Sequence, residues 1–114
     1  MPEANQQTKP KVEPTEATLT PGMEAALKAH EAGNYREAAR LYTVELAAEE
    51  AKPAPSWVQL SYLHNELGLT LDYAGQYEKA LEHFQKSLAI DLKQLGLNHP
   101  DTKDTKANLD ELKE

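Results

Sequence analysis

The chain contains no cysteine, which excludes a disulfide framework and any metal site built on thiolates. Long apolar runs are missing too. Nothing approaches the roughly 20 consecutive apolar residues of a membrane-spanning helix. The start, Met1-Pro2-Glu3-Ala4-Asn5, lacks the apolar centre of a secretory signal. A cytoplasmic protein that does not engage a membrane is therefore expected. Aromatic residues make up only 6% of the chain, thin for a sandwich or barrel interior but enough for a small helical domain. Positive charge is the other shortage: 12 Lys and Arg stand against 19 Asp and Glu, a formal net charge of −7. That balance repels nucleic acid and anionic lipid and favours a neutral or basic protein segment as partner. The histidines His30, His64, His83 and His99 have no i, i+4 relation and no cysteine to join them, so no metal is expected. No Gly-rich phosphate loop, nucleophile elbow or acid-paired histidine motif is present, so neither an enzyme nor a cofactor is expected.

What the chain does have is self-similarity. Gly33-Asn34-Tyr35-Arg36-Glu37-Ala38-Ala39-Arg40-Leu41-Tyr42 is answered by Gly75-Gln76-Tyr77-Glu78-Lys79-Ala80-Leu81-Glu82-His83-Phe84, 42 residues later. Both read Gly-x-Tyr-x-x-Ala-[Leu/Ala]-x-x-[Phe/Tyr]. A repeat of this length means stacked supersecondary units. Tyr77, Ala80, Leu81, Phe84 and Leu88 form one apolar stripe at helical spacing, and Tyr35, Ala38, Ala39, Tyr42 and Leu46 repeat it. Each glycine stands where a preceding helix should stop in the left-handed conformation, so each unit is an antiparallel helix pair about a tight turn. Ala38 and Ala80 are small so that helix axes can approach closely, with Ala26 and Gly68 as their small partners. Tyr35 and Tyr77 are expected in the core, in like surroundings.

In chain order, 114 residues suffice for one domain. Residues 1–19, with Pro2, Pro10 and Pro14 among polar residues, read as a disordered tail or linker. The alternative is a tethered peptide that folds back into the protein's own groove. Thr20-Pro21 caps and opens a first helix to about Ala32, with Met23, Ala26 and Leu27 inward. Asn34 and Glu37 suggest a capping box for a second helix to about Ala51, which Lys52-Pro53-Ala54-Pro55 ends. Ser56 and Gln59 suggest another box for a third helix from Trp57, whose buried stripe is Trp57, Leu60, Leu63 or His64, Leu67, Leu71 and Ala74. A fourth runs from Tyr77 to about Leu95 before Gly96, and a fifth starts at Pro100. Leu109 is 42 residues after Leu67, so the fifth opens a third unit. The organisation is a tail over 1–19 and a helical domain over 20–114, with units at about 20–55 and 56–97 and a half unit at 98–114.

The pattern resembles the tetratricopeptide repeat, whose motif runs Trp-x2-Leu-Gly-x2-Tyr and then Ala-x3-Phe. Here His64-x2-Leu67-Gly68-x2-Leu71 is followed by Ala80-x3-Phe84. The first unit carries Ala25-Ala26-x2-Ala29 and Ala38-x3-Tyr42 and lacks the large aromatic and the leucine. The 42-residue period exceeds the usual 34. Together with Leu95-Gly96-x-x-His99-Pro100-x-Thr102 and Asn65-Glu66-Leu67-Gly68, it is similar to the longer repeats of kinesin light chains and their bacterial relatives.

The resemblance implies an all-α solenoid of tandem antiparallel hairpins, with two full repeats and a C-terminal half repeat. It also implies a concave groove, lined by the first helix of each unit, that takes a peptide or helix of a partner. Carried over by position, the groove residues are Met23, Glu24, Leu27 and His30; Tyr62, Asn65, Glu66, Leu69 and Tyr73; and Asn108 and Glu111. Asn65 and Asn108 are the expected ligands for a peptide main chain, since an amide both donates and accepts. Chaperone-type repeats grip a carboxylate with basic residues at these places. Glu24, Glu66 and Glu111 disfavour such a clamp here, although Glu24, Glu31 and Glu66 would also suit a plain solvated face. Trp57 is expected between units rather than exposed. A second reading is self-association into a homodimer through Val58, Leu92, Leu95 and Leu112 exposed at the ends.

Overall fold

The computed structural model describes residues 16–113; most of the expected tail lies outside them. Five helices follow one another: α1 (Pro21–Glu31), α2 (Tyr35–Glu50), α3 (Trp57–Tyr73), α4 (Tyr77–Gln94) and α5 (Pro100–Lys113). No strand occurs among the described residues. Each helix packs on the next, and α5 also returns to touch α3. The architecture is all-α, a run of antiparallel helix hairpins.

The two tight turns are copies. Gly33 and Gly75 both have φ of 82°, a conformation that costs a residue with a Cβ but not glycine. Around Gly33, Asn34 N–H reaches Ala29 O at 2.8 Å and Gly33 N–H reaches His30 O at 3.0 Å. Around Gly75, Gln76 N–H reaches Leu71 O at 2.9 Å and Gly75 N–H reaches Asp72 O at 3.0 Å. This paired arrangement closes a helix C-terminus and turns the chain back on itself. The starts of the helices vary more. Thr20 caps α1 through Met23 N–H at 3.1 Å, and Ser56 caps α3 through Gln59 N–H at 3.3 Å. The return half of the second box is absent because the Gln59 side chain is bonded elsewhere. Asn34 makes no side-chain cap bond. Its expected partner Glu37 is held by Arg40 at 2.7 and 2.9 Å, so no capping box forms there.

The core runs through Met23, Ala26, Tyr42, Leu46, Leu63, Leu67, Leu71, Ala80, Phe84 and Leu109. A close approach of two helices lies in the second hairpin. A Cβ on Gly68 would lie 2.8 Å from two carbons of the Phe84 ring, and Phe84 is itself buried. Only a hydrogen fits there, which lets α3 and α4 close on each other. Ala26, Ala38 and Ala80 are fully buried as the small-residue pattern requires.

Three expectations about burial need correction. Tyr77 is 59% exposed, not core. Tyr35 is only half-buried; it stacks on Tyr73 with ring centres 5.2 Å apart and meets the edge of His30 at 5.1 Å. Tyr77 instead faces Asp72, Glu111 and Leu112, so no aromatic covers it and the two tyrosines have unlike surroundings. Val58, expected at an exposed end, is buried at 6% exposure.

Candidate functional site

Along α3, positions 57 and 58, 61 and 62, and 65 and 66 recur at one helical turn, so they share a face. That face forms the floor of a groove of about 500 Å³. The end of α4 supplies Asp91 and Leu95, α5 supplies Asp101, Asp104 and Thr105, and the segment before α1 supplies Glu16, Ala17 and Leu19. Among the described residues the lining is acidic: five carboxylates and no lysine, arginine or histidine.

Glu66 sits half-buried with the Tyr42 hydroxyl 3.5 Å away. Burial raises the Glu66 carboxyl above its usual value. Burial, and secondarily the Glu66 charge, pushes the Tyr62 phenol up to about 12. The same two causes raise Tyr42 further. A cation entering the groove would favour the ionised Glu66 carboxylate, since an opposite charge favours the charged form of an acid.

Asp91 is 3% exposed. It accepts from Ser61 Oγ at 2.5 Å and Thr105 Oγ1 at 2.9 Å, while Ser87 Oγ lies 3.0 Å from Ser61 Oγ and donates to Ser61 O at 3.0 Å. This polar network ties α3, α4 and α5 together beneath the groove. No buried side-chain polar atom among the described residues is left without a partner.

Of the residues expected in a groove, Tyr62, Asn65 and Glu66 are brought together here. Asn108 donates to Asn65 Oδ1 at 3.3 Å, so the two amides meet each other. Met23 is 1% exposed and belongs to the core, with the Gln59 amide 3.7 Å from its sulfur. Leu69 packs against the core. His30 and Tyr73 form a separate cluster with Tyr35, in which His30 Nδ1 lies 3.0 Å from Thr70 Oγ1. Glu24 is exposed and Leu27 half-buried on α1, and neither lines the groove. Glu111 stands beside Tyr77.

The carboxylates Asp91, Asp101 and Asp104 were not among the expected site residues. A signal for Asp101 was present in the first turn of α5, where an acid suits the helix dipole. A histidine pair was also missed. His64 and His83 stack with their Nδ1 atoms 3.0 Å apart. They lie on the two helices that the turn at Gly75 joins, and an antiparallel hairpin brings positions on either side of its turn together. No group of three or more metal-ligating side chains occurs among the described residues, and no described helix is long and apolar enough to cross a membrane.

The family model of the tetratricopeptide repeat matches residues 61–93, most of α3 and nearly all of α4. Searches of curated proteins and of solved structures returned no match.

Proposed function

We propose that this chain, whose residues 61–93 match the tetratricopeptide-repeat model, is a non-enzymatic interaction module whose acidic groove takes a neutral or basic peptide or helix of another protein. One observation carries the reading: the groove of about 500 Å³ gathers Glu16, Glu66, Asp91, Asp101 and Asp104 without a basic side chain. Trp57 and Tyr62 supply apolar contact area at the same place, and such rings are common anchors at interfaces. The floor comes from the first helix of a hairpin and one wall from the first helix of the next, as expected of a concave repeat surface. The test is a titration of the full chain with two extended peptides of equal length, one lysine-bearing and one glutamate-bearing. The lysine peptide binds about tenfold tighter at low salt and loses that preference at high salt. Replacing Asp101 and Asp104 together by lysine removes the preference. Equal affinities for both peptides would sink the reading.

A second reading, self-association, draws on Leu92 and Leu97, both large, apolar and exposed near the end of α4. Light scattering at several concentrations separates the two, because a dimer's mass and melting point track concentration and a monomer's do not.

A further inference from the structure

The groove already has a chain beside it. Thr18, three residues before α1, is held by a single side chain: its N–H donates to Gln59 Oε1 at 2.6 Å and its carbonyl accepts from Gln59 Nε2 at 2.9 Å. An amide that donates and accepts at once to one residue copies the pairing between neighbouring strands. A helix could not take that place, because its interior N–H and C=O groups are bonded to each other. Glu16, Ala17 and Leu19 of this short segment line the groove along with Trp57, and Ala17 packs against the core. Gln59 is on α3, on the flank of the face that forms the floor, so main-chain pairing and side-chain contact are offered side by side.

We infer that the groove binds an extended peptide strand read through its main chain by Gln59, and that Glu16–Leu19 holds this place in the free chain until a partner strand displaces it. This rests on the groove reading above and narrows it from peptide or helix to an extended segment. The tethered segment is also a poor match for its surroundings. Glu16 brings a negative charge to a groove already lined by Glu66, Asp91, Asp101 and Asp104. A partner strand with lysine at the same place would exchange repulsion for attraction. The tether gives Glu16–Leu19 a high local concentration, so a weak fit is enough to hold it in place, and a better-charged strand can still replace it.

The test uses the full chain and a variant, Thr18→Pro, which removes the N–H that Gln59 accepts and leaves the helices untouched. Trp57, the only tryptophan, reports on the groove through acrylamide quenching. The probe is acetyl-Lys-Ala-Thr-Leu-Lys-amide, the segment's own pattern with lysine at both ends. Quenching of Trp57 is expected to rise in the variant. The probe is expected to bind the variant about tenfold more tightly than the unchanged chain, because the competitor has been released. Unchanged quenching would show that the segment does not cover the groove and would overturn the inference. Equal or weaker binding to the variant would make the segment a wall of the site, overturning the inference while leaving the groove reading intact. Raised quenching with no binding to either protein would overturn both.

Discussion

The first hairpin (α1 and α2) and the second (α3 and α4) share a backbone and little of their polar chemistry. Their turns agree in glycine φ and in both closing hydrogen bonds. Position by position, 42 residues apart, the interiors diverge. Where the second hairpin has Gly68 under Phe84, the first has Ala26 in the same core as Tyr42. Where the second pairs His64 with His83, the first has Gly22 and Leu41. The most telling match is between Asp91 and Glu49. Both are buried acids near the ends of second helices, 3% and 5% exposed. Asp91 receives hydroxyls from two other elements. Glu49 receives Ser56 N–H at 2.8 Å and Lys52 Nζ at 2.9 Å, which hold its carboxyl below the usual range. At each junction one acid ties the second helix of a hairpin to the start of the next unit, but with different partners. The repeat keeps a structural task while the residues that perform it change.

Breaking the close approach of α3 and α4 should have the largest effect. Gly68→Leu would drive a side chain into the Phe84 ring and cost about 3 kcal/mol or more. Ala26→Gly in the first hairpin, which adds no clash, should cost only about 1 kcal/mol of helix propensity. Chemical denaturation reads both, and equal losses would mean the two hairpins are packed alike. The junction acids come next. Asp91→Ala removes two hydroxyl bonds to a buried carboxylate and should cost about 2–3 kcal/mol. Glu49→Ala, where one partner is the exposed Lys52, should cost about 1 kcal/mol. If the order were reversed, the loop at Pro53 and Pro55 would be the stronger junction.

The histidine pair gives a pH dependence that the first hairpin lacks. Burial first, then the neighbouring His83 and Lys86 charges, lower His64 to about 4. Burial and Lys86 lower His83 as well, against a smaller opposing pull from Glu82 and Glu50. The unfolded chain then binds more protons than the folded one at mildly acidic pH. Stability from His64 is therefore full above about 6.5 and is lost as pH falls toward about 4. Between pH 7 and 5 the loss is on the order of 2 kcal/mol. Glu66, raised by burial, acts in the opposite sense and offsets part of it. Thermal melts across that range should show a slope that His64→Gln flattens. A slope unchanged by His64→Gln would place the sensitivity elsewhere.

Much of the fold was legible because it depends on local spacing. Helix starts at Pro21, Tyr35, Trp57, Tyr77 and Pro100 come from caps, prolines and the two turn glycines. The need for a small residue at 68 comes from the register of the motif. The candidate site was legible in part: Tyr62, Asn65 and Glu66 share a helical face and line one groove. Met23 is buried, as its helical stripe requires, and the groove position carried over from the family resemblance does not hold for it. Tyr77 was misassigned because it matches Tyr35 in sequence while its cover comes from another helix.

By itself, the order of residues determined the class of structure, the hairpin period and the acidic character of the surface, all of which arise from neighbours in the chain. The tertiary structure decided which carboxylates share a groove, that Asp91 is buried under hydroxyls, that two histidines touch and that Gln59 holds Thr18. This last contact joins residues 41 positions apart. Such contacts depend on how one helix is rotated and seated against the next, and side-chain packing between helices sets that geometry.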